Sequence, residues 1–372
     1  MKKVGIITFH ASHNYGSMLQ AYALQQVIIG MGFDCEIINF RTKRQKKFYC
    51  PPFCRGRWIG MIRRLIIYWR YVIPLIKKYI LFESFLRNKY ILSKKEYGTI
   101  DDLINEDFKY NIYISGSDQI WNTVCFDFDW AYFLPFVKEG KKIAYAPSMG
   151  PKPFIDVKEV NTQNIKKYIS SFTSISVREQ GTADRLFMLS GVHAPIMLDP
   201  TLLLPGGYWE EMINQSPLVK DDYIFLYTPW YDEQVFTKAE MLSNQLGLKV
   251  IVSQIYEWGG NEWCKNHNFQ YILSVGPLEF LNLCKNAKLT IGLSFHLVVF
   301  SILLHTPFIV IDGMNDSRIR NLLTLTKLES RSMAASMNDF SQYFSSIDFK
   351  MANELIKNNS QECLKWLKKS LM

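Results

Sequence analysis

Three consecutive residues between a predicted strand and a predicted helix have the types that hold an anion and move a proton. Ser294, Phe295 and His296 follow an apolar, partly β-branched strand at 289–293 and precede apolar residues at helical spacing. A helix that begins here offers free backbone N–H groups to an anion, and a histidine exchanges protons near neutral pH. A purely structural role fits equally well, with Ser294 capping the helix and His296 on the surface.

Polar and small residues also follow two strands in the first half of the chain. Asn14 and Gly16 suit a tight turn or a close approach of the backbone to a ligand, although an ordinary loop is the alternative. Asp118, Gln119 and Asn122 carry hydrogen-bonding groups that suit sugar hydroxyls. The predicted ligand or cleft contacts are Asn14, Tyr15, Gly16 and Ser17 after the first strand, and Ser115, Gly116, Ser117, Asp118, Gln119, Trp121 and Asn122 around the end of the strand at 110–115.

Arg178 lies near the end of a further predicted strand, at 174–179. An arginine at a strand end is a good ligand for a phosphate or carboxylate, because its guanidinium forms two parallel hydrogen bonds. The alternative is a simple ion pair with Glu179 or Asp184. The residue types leave both roles open.

The elements that position these residues alternate between strand and helix. A strand at 3–9, a loop at 10–17, a helix at 18–31 and a strand at 35–40 form a βαβ unit. Such units join parallel strands by right-handed crossovers, and ligands bind at the carboxyl ends of the strands. The first loop lacks GxGxxG, so the dinucleotide fingerprint is absent.

The same alternation restarts at residue 206 and predicts a second domain. We expect residues 1–200 to form an N-terminal α/β domain, residues 201–336 a C-terminal α/β domain, and residues 337–372 two C-terminal helices. Both domains are predicted to be doubly wound and Rossmann-like, and to face each other across a cleft.

Residues 41–98 interrupt this alternation with a basic, apolar and helical insertion. Residues 41–95 hold sixteen Lys or Arg and one acid, Glu83, whereas the whole chain has a net charge of +9. Basic residues interrupt every window of the ~20 residues that a bilayer core requires, which excludes a transmembrane span. Cations alternating with large apolar residues are typical of a helix on an anionic membrane surface. The alternative is a pair of packed helices with a solvated basic face, and no motif indicates nucleic acid.

The cysteines and the first residues indicate a reducing compartment. Seven cysteines are scattered along the chain, and Lys2 and Lys3 lead into a strand without a signal peptide, so we expect free thiols in the cytoplasm. Cys50 and Cys54 are spaced like half of a metal site, but no second pair completes it. We therefore expect no metal site.

Together, the motifs that follow these strands resemble the polysaccharide pyruvyl transferase family. The resemblance covers most of the chain in order, and residues 41–98 are its least matched part. The motifs that carry it are GIITFHASHNYGSMLQAYALQ, YISGSDQIWN, KKIAYAPSMG, SISVREQGT, LDPTLLL, TIGLSFHLVVFSILLHTPFIVI and SRIRNLLTLTKLESR.

The resemblance implies a GT-B-like pair of domains and a specific reaction. Members transfer the enolpyruvyl unit of phosphoenolpyruvate to a sugar and form a pyruvate ketal, without a metal or redox cofactor. The family histidine matches His296 and would be the general acid, and the family arginine matches Arg178 and would hold the donor. Many members have Arg-Leu-His in the turn, where this chain has Ser294, Phe295 and His296. Arg318, Arg320 or the Ser294 hydroxyl with the helix N-terminus would replace the missing arginine.

Two other functions fit the same pattern. A glycosyltransferase that uses a nucleotide sugar has the same architecture, and fold alone does not separate the two activities. A non-catalytic glycan-binding protein at the membrane face also fits, because the turn arginine is missing. For the transferase we expect a cytoplasmic protein, peripheral at the inner membrane face, whose partners are phosphoenolpyruvate and a free or lipid-linked glycan.

Overall fold

The computed structural model describes residues 2–54, 60, 63, 66, 69–150, 159–213, 216–253 and 260–372. Contacts divide the chain into two compact units. The first comprises the residues up to Arg70, Phe82–Leu204 and Asn359–Met372, and the second comprises Tyr71–Leu81 and Pro205–Asn358.

The first unit contains a parallel sheet of six strands in the order β3-β2-β1-β4-β5-β6. The chain winds outward from β1 in one direction and then from β4 in the other, so the switch point lies between β1 and β4. The strands are β1 (Lys3–Ile7), β2 (Asp34–Phe40), β3 (Leu92–Tyr97), β4 (Ile112–Ser115), β5 (Lys141–Ala144) and β6 (Ser174–Ile175). The helices are α1 (Tyr15–Gly30), α2 (Lys43–Tyr49), α3 (Val72–Lys89), α4 (Ile100–Ile104), α5 (Glu159–Ile169) and α6 (Gln180–Ser190). The first residues of α3 belong to the second unit.

The second unit repeats the same winding in the order β12-β11-β10-β7-β8-β9, with its switch point between β7 and β10. Its strands are β7 (Tyr223–Tyr227), β8 (Lys249–Ser253), β9 (Gln270–Ile272), β10 (Leu289–Gly292), β11 (Phe308–Ile311) and β12 (Ser332–Met333). Its helices are α7 (Gly206–Met212), α8 (Glu233–Leu246), α9 (Gly260–Asn266), α10 (Pro277–Asn286), α11 (Phe295–Leu303), α12 (Ser317–Thr326) and α13 (Phe349–Leu371), the last of which ends in the first unit.

Burial on both faces explains why the central strands are apolar along their whole length. Every residue of β7 and of β11 is buried, as parallel strands covered by helices require. The prediction of two doubly wound α/β sheets is confirmed. Among the described residues, no helix is long and apolar enough to cross a membrane.

Three local predictions are wrong, each for a physical reason. The insertion at 41–98 was predicted to be helical, but it ends in a strand, β3. This edge strand exposes the charged residues Lys94, Lys95 and Glu96, so it lacks the apolar pattern by which a strand is predicted. α1 begins at Tyr15 rather than at 18, because the Asn14 side chain accepts a hydrogen bond from the Ser17 N–H at 3.1 Å. The segment at 337–372 holds a short 3₁₀ turn and one long helix, α13, instead of two helices.

The single acid of the basic segment is buried against the first sheet. Arg41 donates two hydrogen bonds to the Glu83 carboxylate, at 2.7 and 3.1 Å, and His13 Nε2 lies 3.1 Å from it. The His13 ring stacks on Phe82, with 4.7 Å between centroids. Burial by itself raises the pKa of Glu83, but the hydrogen bonds from His13 and Arg41 and the charge of Arg41 outweigh it and lower the pKa to about 2.

Glu83 is therefore expected to stabilise the fold at neutral pH and to lose this effect in acid. Its folded-state pKa lies below the ordinary value of 4.5, so the contribution is complete above pH 4.5 and declines as the pH falls toward 2. Glu83→Gln should lower the free energy of unfolding by about 1.5–3 kcal/mol at pH 7. Urea unfolding should show this difference shrinking below pH 4.5, whereas Glu106→Gln, at a partly exposed ion pair, should change little at any pH. A difference that stays constant to pH 3 would contradict the assignment.

Candidate active site

His296 lies in the first turn of α11, directly beyond the carboxyl end of β10 and thus at the switch point of the second sheet. Ser294 is the N-cap residue and makes no side-chain capping hydrogen bond. In any α-helix, the N–H groups of the first turn lack a carbonyl acceptor within the helix, because the residue four positions earlier lies before the helix begins. The His296 ring is buried and meets the Phe295 ring edge-on, with 5.1 Å between centroids. The predicted turn residues are therefore adjacent at a helix N-terminus.

A pair of hydroxyls fixes α11 on the strand that precedes it. Ser301 Oγ donates to the Leu297 carbonyl at 2.7 Å, and Thr290 Oγ1 lies 2.7 Å from Ser301 Oγ. All three residues are buried, so this link holds the helix to β10 inside the core. It determines where the first turn, and with it His296, can lie.

Gly292 lets the end of β10 approach the end of β7. A Cβ built on Gly292 would lie 2.0 Å from the Tyr227 carbonyl oxygen, a distance that real side chains do not tolerate. The switch point of the second sheet therefore requires glycine at this position.

Gly292→Ala is accordingly expected to destabilise the protein by about 3 kcal/mol, because β10 and β7 must move apart. The matched control is Gly207→Ala, where an added Cβ meets nothing within 4 Å. Thermal unfolding should show a clear drop in midpoint for Gly292→Ala and little change for Gly207→Ala. Equal midpoints for the two variants would show that β10 and β7 can move apart at little cost in free energy.

The two other arginines predicted to bind the donor lie on α12. Arg318 is half-buried and donates to Asp316 through Nε at 3.0 Å and Nη2 at 2.5 Å, while Arg320 is exposed and donates to the Met314 carbonyl at 3.3 Å. The side chain of Asp316 also caps α12 by accepting from the Arg318 N–H. Arg318 already has a carboxylate partner, so it is a less suitable anion ligand than its charge alone indicates.

In the first unit, the loop after β4 is bound tightly to α1 and to the end of β5. Gly116 has φ of +139°, and a Cβ there would lie 2.0 Å from the Tyr145 carbonyl oxygen, so this position also needs glycine. Ser117 N–H donates to Gln20 Oε1 at 3.2 Å, and Ser117 Oγ donates to the Ala146 carbonyl at 2.6 Å. Gln20 in turn donates to Thr8 Oγ1 at 2.9 Å.

Asp118 connects the loop after β4 to the first turn of α1, at the switch point of the first sheet. Its Oδ2 accepts from Ser17 Oγ at 2.5 Å, and its Oδ1 accepts from the Gln119 N–H at 2.8 Å. Ser17 lies in the first turn of α1, and Gln119 directly follows Asp118. The structure thus brings together the two groups of polar residues that the sequence predicts after β1 and around the end of β4.

Arg178 is buried among three carboxylates. Its Nη1 lies 3.0 Å from Asp199 Oδ2 and 3.5 Å from Asp118 Oδ1, and its Nε lies 3.5 Å from Glu179 Oε2. Burial alone lowers the pKa of Arg178, but the charges of Asp118, Asp199 and Glu179 outweigh it and raise the pKa. Asp184, the other partner considered from the sequence, instead accepts from Gln180 at 2.6 Å. One guanidinium among three carboxylates leaves an excess of negative charge, which is a poor environment for a phosphate.

The predicted ligand or cleft contacts of the first unit differ in what they offer to a ligand. Tyr15 and Trp121 are fully buried aromatic residues, so they support the loops from within the core and contact no molecule in solution. Ser115 is also fully buried, and its hydroxyl donates to the Tyr132 carbonyl. Gln119 and Asn122 are half-buried and are joined by a hydrogen bond of 2.9 Å between their amides. Among the predicted contacts after β4, only these two side chains are not buried.

The sequence patterns do not identify Gln20 and Asp127. Ser12 Oγ donates to Asp127 Oδ2 at 2.7 Å and the Tyr49 hydroxyl donates to the same oxygen, while burial raises the pKa of this carboxyl. Ser12 and Asp127 are 115 positions apart, so no local motif relates them. Gln20 lies within a helical stretch that reads as core. Among the residues that the structure describes, no group of three His, Cys, Asp or Glu is placed to hold a metal ion.

The sequence profile of one protein family, polysaccharide pyruvyl transferase, matches residues 14–313. This chain belongs to the polysaccharide pyruvyl transferase family. The matched range contains every predicted site residue except Arg318 and Arg320, which lie beyond its end. No curated protein matches the sequence significantly.

Several solved structures share the fold of two Rossmann-like domains, as in GT-B proteins, at low identity. The S. aureus MnaA–UDP co-structure is 10% identical with a TM-score of 0.53, and the match covers 96% of this chain and 91% of that chain. AviGT4, a glycosyltransferase involved in avilamycin A biosynthesis, is 9% identical with a TM-score of 0.54, covering 100% and 97%. UDP-GlcNAc 2-epimerase from Neisseria meningitidis, bound to UDP-GlcNAc, is 12% identical with a TM-score of 0.52, covering 99% and 100%. At these identities the likeness concerns the fold alone.

Proposed function

We propose that this pyruvyl transferase family member transfers the pyruvyl group of phosphoenolpyruvate to two hydroxyls of a glycan sugar and forms a pyruvate ketal. The observation that carries the proposal is the position of His296, in the first turn of α11 at the switch point of the second sheet, inside the range that matches the family. In doubly wound sheets this is where ligands bind. A histidine at this point can deliver a proton to a bound anion.

The first turn of α11 supplies the donor site in this proposal. The N-terminus of the helix carries partial positive charge, which suits the phosphate or carboxylate of phosphoenolpyruvate. The Ser294 hydroxyl makes no capping bond and adds a donor where many members of the family have arginine. A helix N-terminus and a hydroxyl thus take over the anion contact that the missing arginine would make.

The reaction then needs one proton delivered and two released. His296 donates a proton to the methylene carbon of phosphoenolpyruvate, and C2 becomes an oxocarbenium-like centre. A sugar hydroxyl adds to C2 and loses its proton, after which the C–O bond to phosphate breaks and the oxocarbenium centre forms again. The second hydroxyl adds to C2 and closes the ketal. The released protons re-protonate the histidine and the departing phosphate, so the steps balance without a metal or redox partner.

We infer that the polar loops of the first unit recognise the acceptor. Gln119 and Asn122 present half-buried amides, and the surroundings of Asp118 are rich in carboxylates. The two amides can form hydrogen bonds with sugar hydroxyls, and the excess of buried negative charge disfavours phosphate. Arg178 then acts as a positioning residue that holds Asp118 and the loop after β4, rather than as a ligand of the donor.

The proposal is tested by following both products in heavy water. The full-length protein is incubated with phosphoenolpyruvate and a panel of free and lipid-linked glycans, and phosphate release is compared with the ketal methyl signal in NMR spectra. We expect equal amounts of phosphate and ketal for the correct acceptor, with deuterium in the new methyl group. Release of UDP or GDP from a sugar nucleotide, with none of the ketal, would instead assign a glycosyltransferase.

A further inference from the structure

One face of the basic insertion exposes a row of large apolar side chains. Ile73, Ile76 and Ile80 on α3 are 78%, 38% and 55% exposed, and Trp69, directly before the helix, is 67% exposed. The spacing of three and four residues places the three isoleucines along one side of α3, and Trp69 lies in the 3₁₀ turn that precedes this helix. We call Trp69, Ile73, Ile76 and Ile80 the apolar row. Soluble proteins rarely leave so many large apolar side chains in contact with water unless the surface binds something.

Cations border the apolar row on one side. Arg70 and Lys77 are both exposed and lie seven residues apart, and the same interval leads back to Arg63, which is exposed as well. The Arg70 guanidinium lies 5.1 Å from the centre of the Trp69 ring, so cation and apolar row are in contact. The row therefore has the arrangement of an interfacial helix, with apolar groups on one stripe and positive charge beside it.

The segment itself supplies no carboxylate to neutralise these cations. Residues 55–82 contain no Asp or Glu, and Glu83, the next acid, is buried against Arg41 and His13. A second copy of the chain packed on the row would bring the cations at 63, 70 and 77 together without acidic partners, which disfavours a paired helix. An anionic lipid surface supplies both a layer that accepts the apolar row and phosphates that accept the cations.

We propose that the apolar row and its flanking cations dock this protein on a membrane surface rich in anionic phospholipid. Ile73, Ile76 and Ile80 enter the boundary between headgroups and acyl chains, while Arg70 and Lys77 contact lipid phosphates. This docking is independent of the proposed transfer reaction. The acceptor class it favours is a glycan held at a membrane.

The test is co-sedimentation of the full-length protein with vesicles, in the absence of donor and acceptor. Vesicles of phosphatidylcholine with phosphatidylglycerol should bind the protein, and those of phosphatidylcholine alone should bind it much more weakly. Arg70→Gln with Lys77→Gln should weaken partitioning by about 25-fold, at about fivefold per cation. Ile73→Ser with Ile76→Ser should weaken it by at least about tenfold.

Matched controls separate docking from general effects of charge and hydrophobicity. Lys166→Gln with Lys167→Gln removes two exposed cations from α5, and Met188→Ser removes an 80% exposed apolar side chain from α6. Neither control should change vesicle binding, and all variants should keep the thermal midpoint because the changed side chains are exposed. Equal loss in the controls, or equal binding to both kinds of vesicle, would overturn the proposal. So would a dimer in light scattering that Ile73→Ser with Ile76→Ser converts to a monomer.

Discussion

His296→Gln is expected to lower phosphoenolpyruvate-dependent phosphate release by about 10²–10⁴-fold, the usual contribution of a positioned general acid. Glutamine keeps a polar side chain of similar reach but cannot exchange a proton at neutral pH. The affinity for phosphoenolpyruvate should stay within a few-fold, because the backbone N–H groups of the first turn of α11 are unchanged. Steady-state phosphate release and calorimetry on the same preparation measure the two quantities.

The control for this variant is His305→Gln. His305 is an exposed histidine of the same unit, just beyond the end of α11, with its Nε2 beside the Asn353 amide. It should leave both turnover and binding near the wild-type values. If His296→Gln retained turnover within threefold of wild type, His296 would not be the acid. A large fall in the thermal midpoint of His296→Gln, with none for His305→Gln, would instead indicate that the imidazole stabilises the packing of the core.

Arg178→Ala is expected to destabilise the protein by about 3–5 kcal/mol, because three buried carboxylates lose the cation that lies among them. The control is Arg87→Ala, an exposed arginine of α3, which should change the free energy of unfolding by less than about 0.5 kcal/mol. Urea unfolding at neutral pH measures the difference. Arg178→Lys should recover part of the loss, since a charge remains but the planar guanidinium does not.

The Arg178→Lys variant distinguishes a positioning role of Arg178 from a role in binding the donor. If Arg178 positions the loop after β4, the folded Arg178→Lys protein should bind phosphoenolpyruvate with near wild-type affinity and should use the acceptor less well. Unchanged stability together with lost phosphoenolpyruvate binding would return Arg178 to the donor site that the family resemblance implies. Calorimetry on folded protein, below the unfolding temperature of the variant, distinguishes these outcomes.

Strands and helices with clear local signals are predictable from the sequence. β7 (Tyr223–Tyr227), α8 (Glu233–Leu246) and β11 (Phe308–Ile311) are elements of this kind. Each lies between strong signals, such as the N-cap Asp232 and Gly247, whose φ of +66° ends α8. Elements that bury few side chains lack such local signals and are not predictable from the sequence. Examples are β3 and the two-residue strand β12.

The candidate site was predictable only where its residues follow strands. His296, Asp118 and Arg178 each follow or end a strand, and within each doubly wound sheet such positions lie at the carboxyl edge. Their partners were not predictable, because Asp118 lies 60 positions from Arg178 and 101 from Ser17. The three carboxylates around Arg178 come together only through such distant contacts. Because of them, Arg178 is better suited to holding the loop after β4 than to binding an anion, the role that its residue type alone indicates.

Family membership and fold likeness carry different weight for function. The family match covers residues 14–313 and includes the turn that holds His296. The likeness to an epimerase and to a glycosyltransferase, at identities of 9–12%, concerns architecture that many activities share. A site at a helix N-terminus accepts the phosphate of a nucleotide as readily as that of phosphoenolpyruvate. The donor therefore has to be identified by binding.

Calorimetric titration of the wild-type protein with phosphoenolpyruvate, beside UDP and GDP, tests the central claim most directly. Pyruvyl transfer predicts saturable binding of phosphoenolpyruvate and no binding of either nucleotide at the same concentrations. Ser294→Ala should weaken that binding, because the hydroxyl takes the place of the family arginine in the proposed donor site. Binding of UDP or GDP with no heat from phosphoenolpyruvate would contradict the account and assign the site at α11 to a nucleotide sugar.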